Sequence, residues 1–161
     1  MEKGRKIKTA VWATIILLTL AFIWGNSAVG KEESSSESGK VYGFFAGILN
    51  AVFGEGVITH GIFRKIAHFS EYALLAVEVY MLIRLIFEIK PLIILNFLQV
   101  GLYVAVADEG IQILSGRGSA VQDVLLDFCG FFFGTVVFTL TFYIIKSITC
   151  NKLRNRKEDK I

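Results

Sequence analysis

Ionisable side chains interrupt the apolar stretches of this chain in clusters. Their types fit acid–base chemistry, cation binding or the capture of a polar head group. His60, Arg64, Lys65, His68, Glu71 and Glu78 form the first cluster. Asp108, Glu109 and Gln112 follow, then Arg117, then Asp123 and Asp127. At about 100° per helical residue, His60, Arg64, His68, Glu71 and Glu78 fall within an arc of roughly 80°, and Lys65 falls off it. By the same geometry Asp108 and Gln112 share a face with Gly101 and Ala105. Asp123 and Asp127 share one with Gly130 and Gly134, and small residues at four-residue spacing let helices approach closely in lipid.

Several chemistries suit these groups. His68 and Glu71, with Ser70, Ser115 and Ser119 as nearby hydroxyls, are candidates for acid–base or nucleophilic work. Asp123 and Asp127, with Asp108, Glu109 and His68, offer oxygen and nitrogen ligands. However, the chain has no His-x-x-x-His or Cys-x-x-Cys spacing, no nucleophile elbow and no phosphate loop. No metal and no cofactor is therefore expected, and no reaction class follows from spacing. Cys129 and Cys150 read as reduced small hydrophobes.

The elements that position these groups follow from hydropathy. The chain has 161 residues, is 54% hydrophobic and contains one proline, Pro91. This fits a single all-α domain over 1–161. A spanning helix needs about 20 mostly apolar residues. Four stretches qualify: 7–28, 66–87, 91–114 and 123–148. The first resembles a signal peptide in charge order, but Trp24 to Ala28 is a poor cleavage site, so an uncleaved helix is expected. Residues 31–40 are polar and low in complexity and predict a flexible loop. The stretch 41–58 contains an apolar run, Val41 to Phe53, too short to span. It predicts an interfacial or re-entrant helix. The expectation is a polytopic four-helix transmembrane bundle plus that short helix.

Lysines and arginines set the orientation. Lys3, Arg5, Lys6 and Lys8 open the chain, and Lys152, Arg154, Arg156, Lys157 and Lys160 close it. Both termini are therefore expected in the cytoplasm, and the three charged clusters at the outer leaflet, except Glu78, which lies deep. Such basic tails flanking apolar spans are topology signals, so a nucleic-acid partner is not expected and membrane lipids are. A charge at the centre of a spanning helix costs on the order of 3 kcal/mol, so these groups should face one another or a wet cavity. Arg64 or Arg117 is expected to pair with Glu71, Asp108 or Asp123. Plainer roles stand beside these. Lys65 fits an interfacial anchor, Arg84 a snorkelling one, and Glu78 a protonated structural group. The whole set also fits a structural lock between helices.

Arg64-Lys-Ile-Ala-His-Phe-Ser-Glu-Tyr72, Asp108-Glu-Gly-Ile-Gln112 and Arg117 through Asp123 to Asp127 together resemble the VanZ-like membrane protein family. The resemblance runs from the second expected span onward, and 41–58 has no counterpart in it. It implies a four-helix bacterial membrane protein, and the family's named member is associated with resistance to the glycopeptide teicoplanin. It carries over Arg64, Lys65, His68, Glu71, Tyr72, Asp108, Glu109, Gln112, Arg117, Asp123 and Asp127 as matching positions. With Lys65 set aside as an anchor, the others form the expected pocket. Its expected ligand is a lipoglycopeptide or a lipid-linked cell-wall precursor. A membrane-embedded enzyme acting on a lipid head group, and a structural or accessory subunit, are the alternatives.

Overall fold

The computed structural model describes residues 2–88, 91–116, 118 and 120–158. The described residues form five helices: α1 (Glu2–Ala28), α2 (Lys31–Phe53), α3 (His60–Ile86), α4 (Pro91–Leu114) and α5 (Val121–Glu158). No strand occurs among the described residues. The all-α expectation holds, with changes at several boundaries.

Residues 31–40 are not a loop but the first turns of α2, which runs unbroken to Phe53. Five of those ten residues are lysine or glutamate, types with good intrinsic helix propensity. Their polarity does not make the segment irregular. Helix α1 starts before the expected Ile7. Its first turn carries Glu2, which pairs with Lys6 at 2.8 Å; an acidic group there complements the helix dipole. Helix α3 starts at His60, six residues before the expected span. Its N-cap is Thr59, whose hydroxyl accepts from the Ile62 amide at 3.3 Å. Helix α5 continues through Glu158 into the basic tail.

Among the described residues, three helical segments are long and apolar enough to cross a membrane: Glu2–Ala28, Leu92–Leu114 and Val121–Thr149. The fourth expected span, in α3, is not among them. Helix α3 carries Glu71, Glu78 and His68 and turns much of its surface to its neighbours. It packs chiefly on α5 and α1, so its side chains meet protein where the others present lipid-compatible surface. Exposed Leu17, Leu18, Leu102, Leu140 and Ile144 supply such surface elsewhere. The chain is a membrane protein.

Side-chain contacts fix the helix directions. Gly130 packs on Phe69 and Gly134 on Ala73, so α3 and α5 run parallel. Arg84 of α3 stacks 3.6 Å above the Phe142 ring of α5 in the same register, where sequence suggested only a snorkelling anchor. Thr19 of α1 meets Glu78 of α3, while Ser27 near the end of α1 meets Gln112 near the end of α4. Thus α1 and α4 run one way, and α3 and α5 the other. The central layer between them is aromatic. Phe97 lies 4.7 Å from Phe131 and Tyr80 lies 5.2 Å from Phe138, centroid to centroid.

The glycines set the closest approaches. A Cβ on Gly130 or Gly134 would overlap the backbone carbonyl of Phe69 or Ala73, and one on Gly101 would overlap the Phe131 ring. Helix α2 does not enter this layer. It packs against the start of α3: the Tyr42 hydroxyl donates to the Ile58 carbonyl at 2.8 Å, and Ser38 meets His60 at 2.9 Å.

Candidate functional site

The last turns of α1 and α4 and the first turns of α3 and α5 meet at one end of the bundle, and the polar stripes converge there. Asp108 and Gln112 lie one turn apart on α4. The Gln112 amide donates to Asp108 Oδ2 at 3.0 Å and makes a long contact, 3.5 Å, to Ser27 Oγ on α1. Ser115 donates to the Ser27 carbonyl at 2.9 Å, and so fastens the end of α4 to that of α1. Across from them, His68 Nδ1 of α3 stands 3.8 Å from Asp127 Oδ1 of α5. Ser27, Asp108, Glu109, Gln112 and Asp127 are all buried.

The turn between α4 and α5 is built to close over this end. Gly116 and Gly118 take positive φ, +74° and +75°, a conformation that glycine adopts without steric cost. The turn then returns to the helix, and the Ala120 amide donates to Glu109 Oε1 at 2.6 Å. Glu109 is thus a clasp on the turn, and its neighbour Asp108 is the residue that faces the interior. Arg117 and Ser119 lie outside the described residues.

A cavity of about 280 Å³ opens at this end, with Arg64, His68, Gln112, Asp123 and Asp127 on its wall. Lys65, read from its angular position as an anchor off the polar arc, is exposed and also lines the cavity rim. Glu71 is half-buried and within electrostatic range of Asp108. Tyr72 is fully buried, its hydroxyl 3.5 Å from the Val104 carbonyl.

Arg64 does not pair with Glu71, Asp108 or Asp123; among the described residues no ion pair joins them. Arg64 stands one turn before His68, on the cavity wall, while Asp108 is taken up by Gln112. Two residues of the expected arc separate from the site. His60 turns to Ser38 on α2. Glu78, further along α3, accepts from the Thr19 hydroxyl at 3.0 Å and joins α3 to α1. Cys129 is a free, exposed thiol, and the Cys150 side chain lies outside the described residues.

Sequence reasoning missed Ser27 and Thr19 as partners. Both are single hydroxyls in an apolar helix, and only the packing of α1 shows what they touch. The wider set of possible ligands named from sequence narrows here to a three-helix grouping. One ligand atom each from His68, Asp108 and Asp127 lies within 4.8 Å of the others. These residues come from α3, α4 and α5, so no sequence spacing announces them.

The arrangement can hold a polar or charged group of modest size at the end of an apolar bundle, with cationic and anionic side chains on the same wall. No curated protein and no solved structure matches the chain. A family model described as VanZ/LLP1 matches residues 10–144, most of the chain and all of the site. The protein belongs to the VanZ/LLP1 family.

Proposed function

We propose that this is a four-pass protein of the bacterial cytoplasmic membrane whose outward-facing pocket binds the head group of a lipid-linked or amphiphilic molecule, and that it confers tolerance to teicoplanin-type glycopeptides. Family membership supports the association with glycopeptide resistance. The observation that carries the pocket is the cavity itself, with Arg64, Lys65 and His68 facing Asp123 and Asp127 at one end of an apolar bundle. A mixed wall of this kind favours a zwitterionic or hydrogen-bonding head group over a simple ion. An acyl or polyprenyl chain attached to that head group would lie along the exposed apolar helices.

The helix directions support four passes. Since α1 and α3 are antiparallel, α2 contributes no crossing and fits an interfacial helix. Alternation then continues through α4 and α5. Basic residues at both ends favour cytoplasmic termini, which puts the polar end outside, where a cell-wall ligand would meet it.

One observation favours a second reading, an enzyme acting on a lipid head group. The His68 imidazole stands 3.8 Å from the Asp127 carboxylate, and a small rotation would bring the two into the hydrogen bond of a general base and its orienting group.

The test is teicoplanin susceptibility together with membrane abundance, measured for the wild type and Asp123→Asn in one strain. Asp123 is on the cavity wall and its side chain is half-exposed, so the variant should insert normally and lose tolerance. Full tolerance at normal abundance would sink the pocket reading. A new product from a labelled lipid-linked precursor would favour the enzyme.

A further inference from the structure

We propose that His68, Asp108 and Asp127 bind a divalent transition-metal cation at the floor of the cavity. Their ligand atoms lie within 4.8 Å of one another, on three different helices. Asp108 is 0% exposed and Asp127 2%, and in each the Oδ1 atom has no hydrogen-bond partner among the described residues. A carboxylate oxygen stripped of water needs a donor or a cation to offset its desolvation. Here two such oxygens stand at one site, and among the described residues no lysine or arginine pairs with either.

The surroundings fit a metal better than a simple buried acid. Gln112 holds Asp108 Oδ2 at 3.0 Å, which orients the carboxylate and leaves its other oxygen available, as outer partners of metal ligands do. Bonds of about 2.1 Å place neighbouring ligand atoms roughly 3 to 3.5 Å apart. His68 and Asp127 stand at 3.8 Å, so small side-chain rotations close the set. Three protein ligands leave coordination positions open, and since His68 and Asp127 line the cavity, those positions face it. One imidazole nitrogen and two carboxylate oxygens suit Zn²⁺ first and Mn²⁺ second, by ligand type and by the general affinity order. The absence of a sequence motif is explained by the three-helix origin of the ligands.

The inference deepens the pocket reading above, since a cation there would meet the anionic part of a zwitterionic head group, and its test is independent of that reading. The full chain is purified in mild detergent, stripped with a chelator, equilibrated with Zn²⁺ alone or Mn²⁺ alone, and assayed for bound metal by mass spectrometry. Wild type should take up about one ion per chain, saturably. Asp108→Asn and Asp127→Asn should each weaken uptake at least about tenfold. Glu78→Gln, whose carboxyl is buried elsewhere against Thr19, should leave it intact. Wild-type uptake no higher than that of empty detergent overturns the proposal, as does equal uptake by both aspartate variants. Should those variants aggregate, the wild-type titration decides alone, and a metal-dependent rise in its melting temperature is the second readout. No lipid or glycopeptide is present, so a failed metal count leaves the head-group pocket standing, and a failed tolerance test leaves the metal count standing.

Discussion

Gly130 lies directly against the carbonyl of Phe69, with no room between them for a single methyl group. Gly134 repeats the contact one turn on, against Ala73. Two glycines at four-residue spacing thus set both the distance and the register of the two parallel helices that carry His68 and Asp127. In lipid, close packing of this kind drives association, because burial of apolar surface gains little there.

The first prediction follows directly. Gly130→Ala and Gly134→Ala should each destabilise the bundle by about 1–3 kcal/mol, the usual cost of overpacking against a neighbour that cannot give. Gly43→Ala, on the open face of α2, should be neutral or slightly stabilising, since alanine is the better helix former. Thermal denaturation in detergent reads all three. Equal melting temperatures across the set would refute the close α3–α5 packing.

A second prediction concerns α1 and α3. Thr19 and Glu78 should show a coupling of about 0.6 kcal/mol, and no more than roughly 1.7, in a double-mutant cycle of Thr19→Val with Glu78→Gln. Zero coupling would mean that the hydroxyl and the carboxyl do not meet. Glycopeptide tolerance should survive both changes, because the pair lies away from the cavity.

The polar end should also be traceable by chemistry. In a background with Cys129 and Cys150 replaced by alanine, Ser27→Cys with Gln112→Cys should crosslink rapidly with a short reagent, as should His68→Cys with Asp127→Cys. The same reagent should leave a Thr19→Cys and Asp127→Cys pair unlinked. Efficient linkage of that last pair would break the helix register.

Topology gives the fourth prediction. A reporter fused after Ile161 should report the cytoplasm, and one inserted near Ser36 the exterior. Detection of both on one side would exclude an odd number of crossings between them and with it the four-pass arrangement.

Much of the site was legible because helical periodicity is a strong constraint. Once His68, Glu71, Asp108, Gln112, Asp123 and Asp127 are placed on helices, charge in an apolar setting leaves few faces for them. The three stripes were expected to meet, and His68, Asp108, Gln112 and Asp127 do so. Periodicity, however, gives angle and not height. It could not tell that Glu78, deep along α3, would take its partner from α1, or that His60 turns to α2. Nor could it foresee that Arg64 would line the wall without gripping a carboxylate. Heights are set by the glycine contacts, which the spacing hinted at but could not align. The 31–40 segment failed for a different reason. Polarity and low complexity do not imply irregularity, because lysine and glutamate are good helix formers.

The parallel pairing of α3 with α5 also bears on how the protein is made. Helix α3 leaves the ribosome before α4 and well before α5, yet its glycine-lined partner and the carboxylate beside His68 are both on α5. Helix α3 must therefore wait, with His68 lacking the carboxylate of Asp127 beside it, until the last helix of the bundle emerges. Its insertion is a delayed step, completed only when Gly130 and Gly134 arrive to receive Phe69 and Ala73. A chain halted before α5 should leave α3 exposed to extraction or to the membrane's quality-control proteases, although every residue of α3 is already in place.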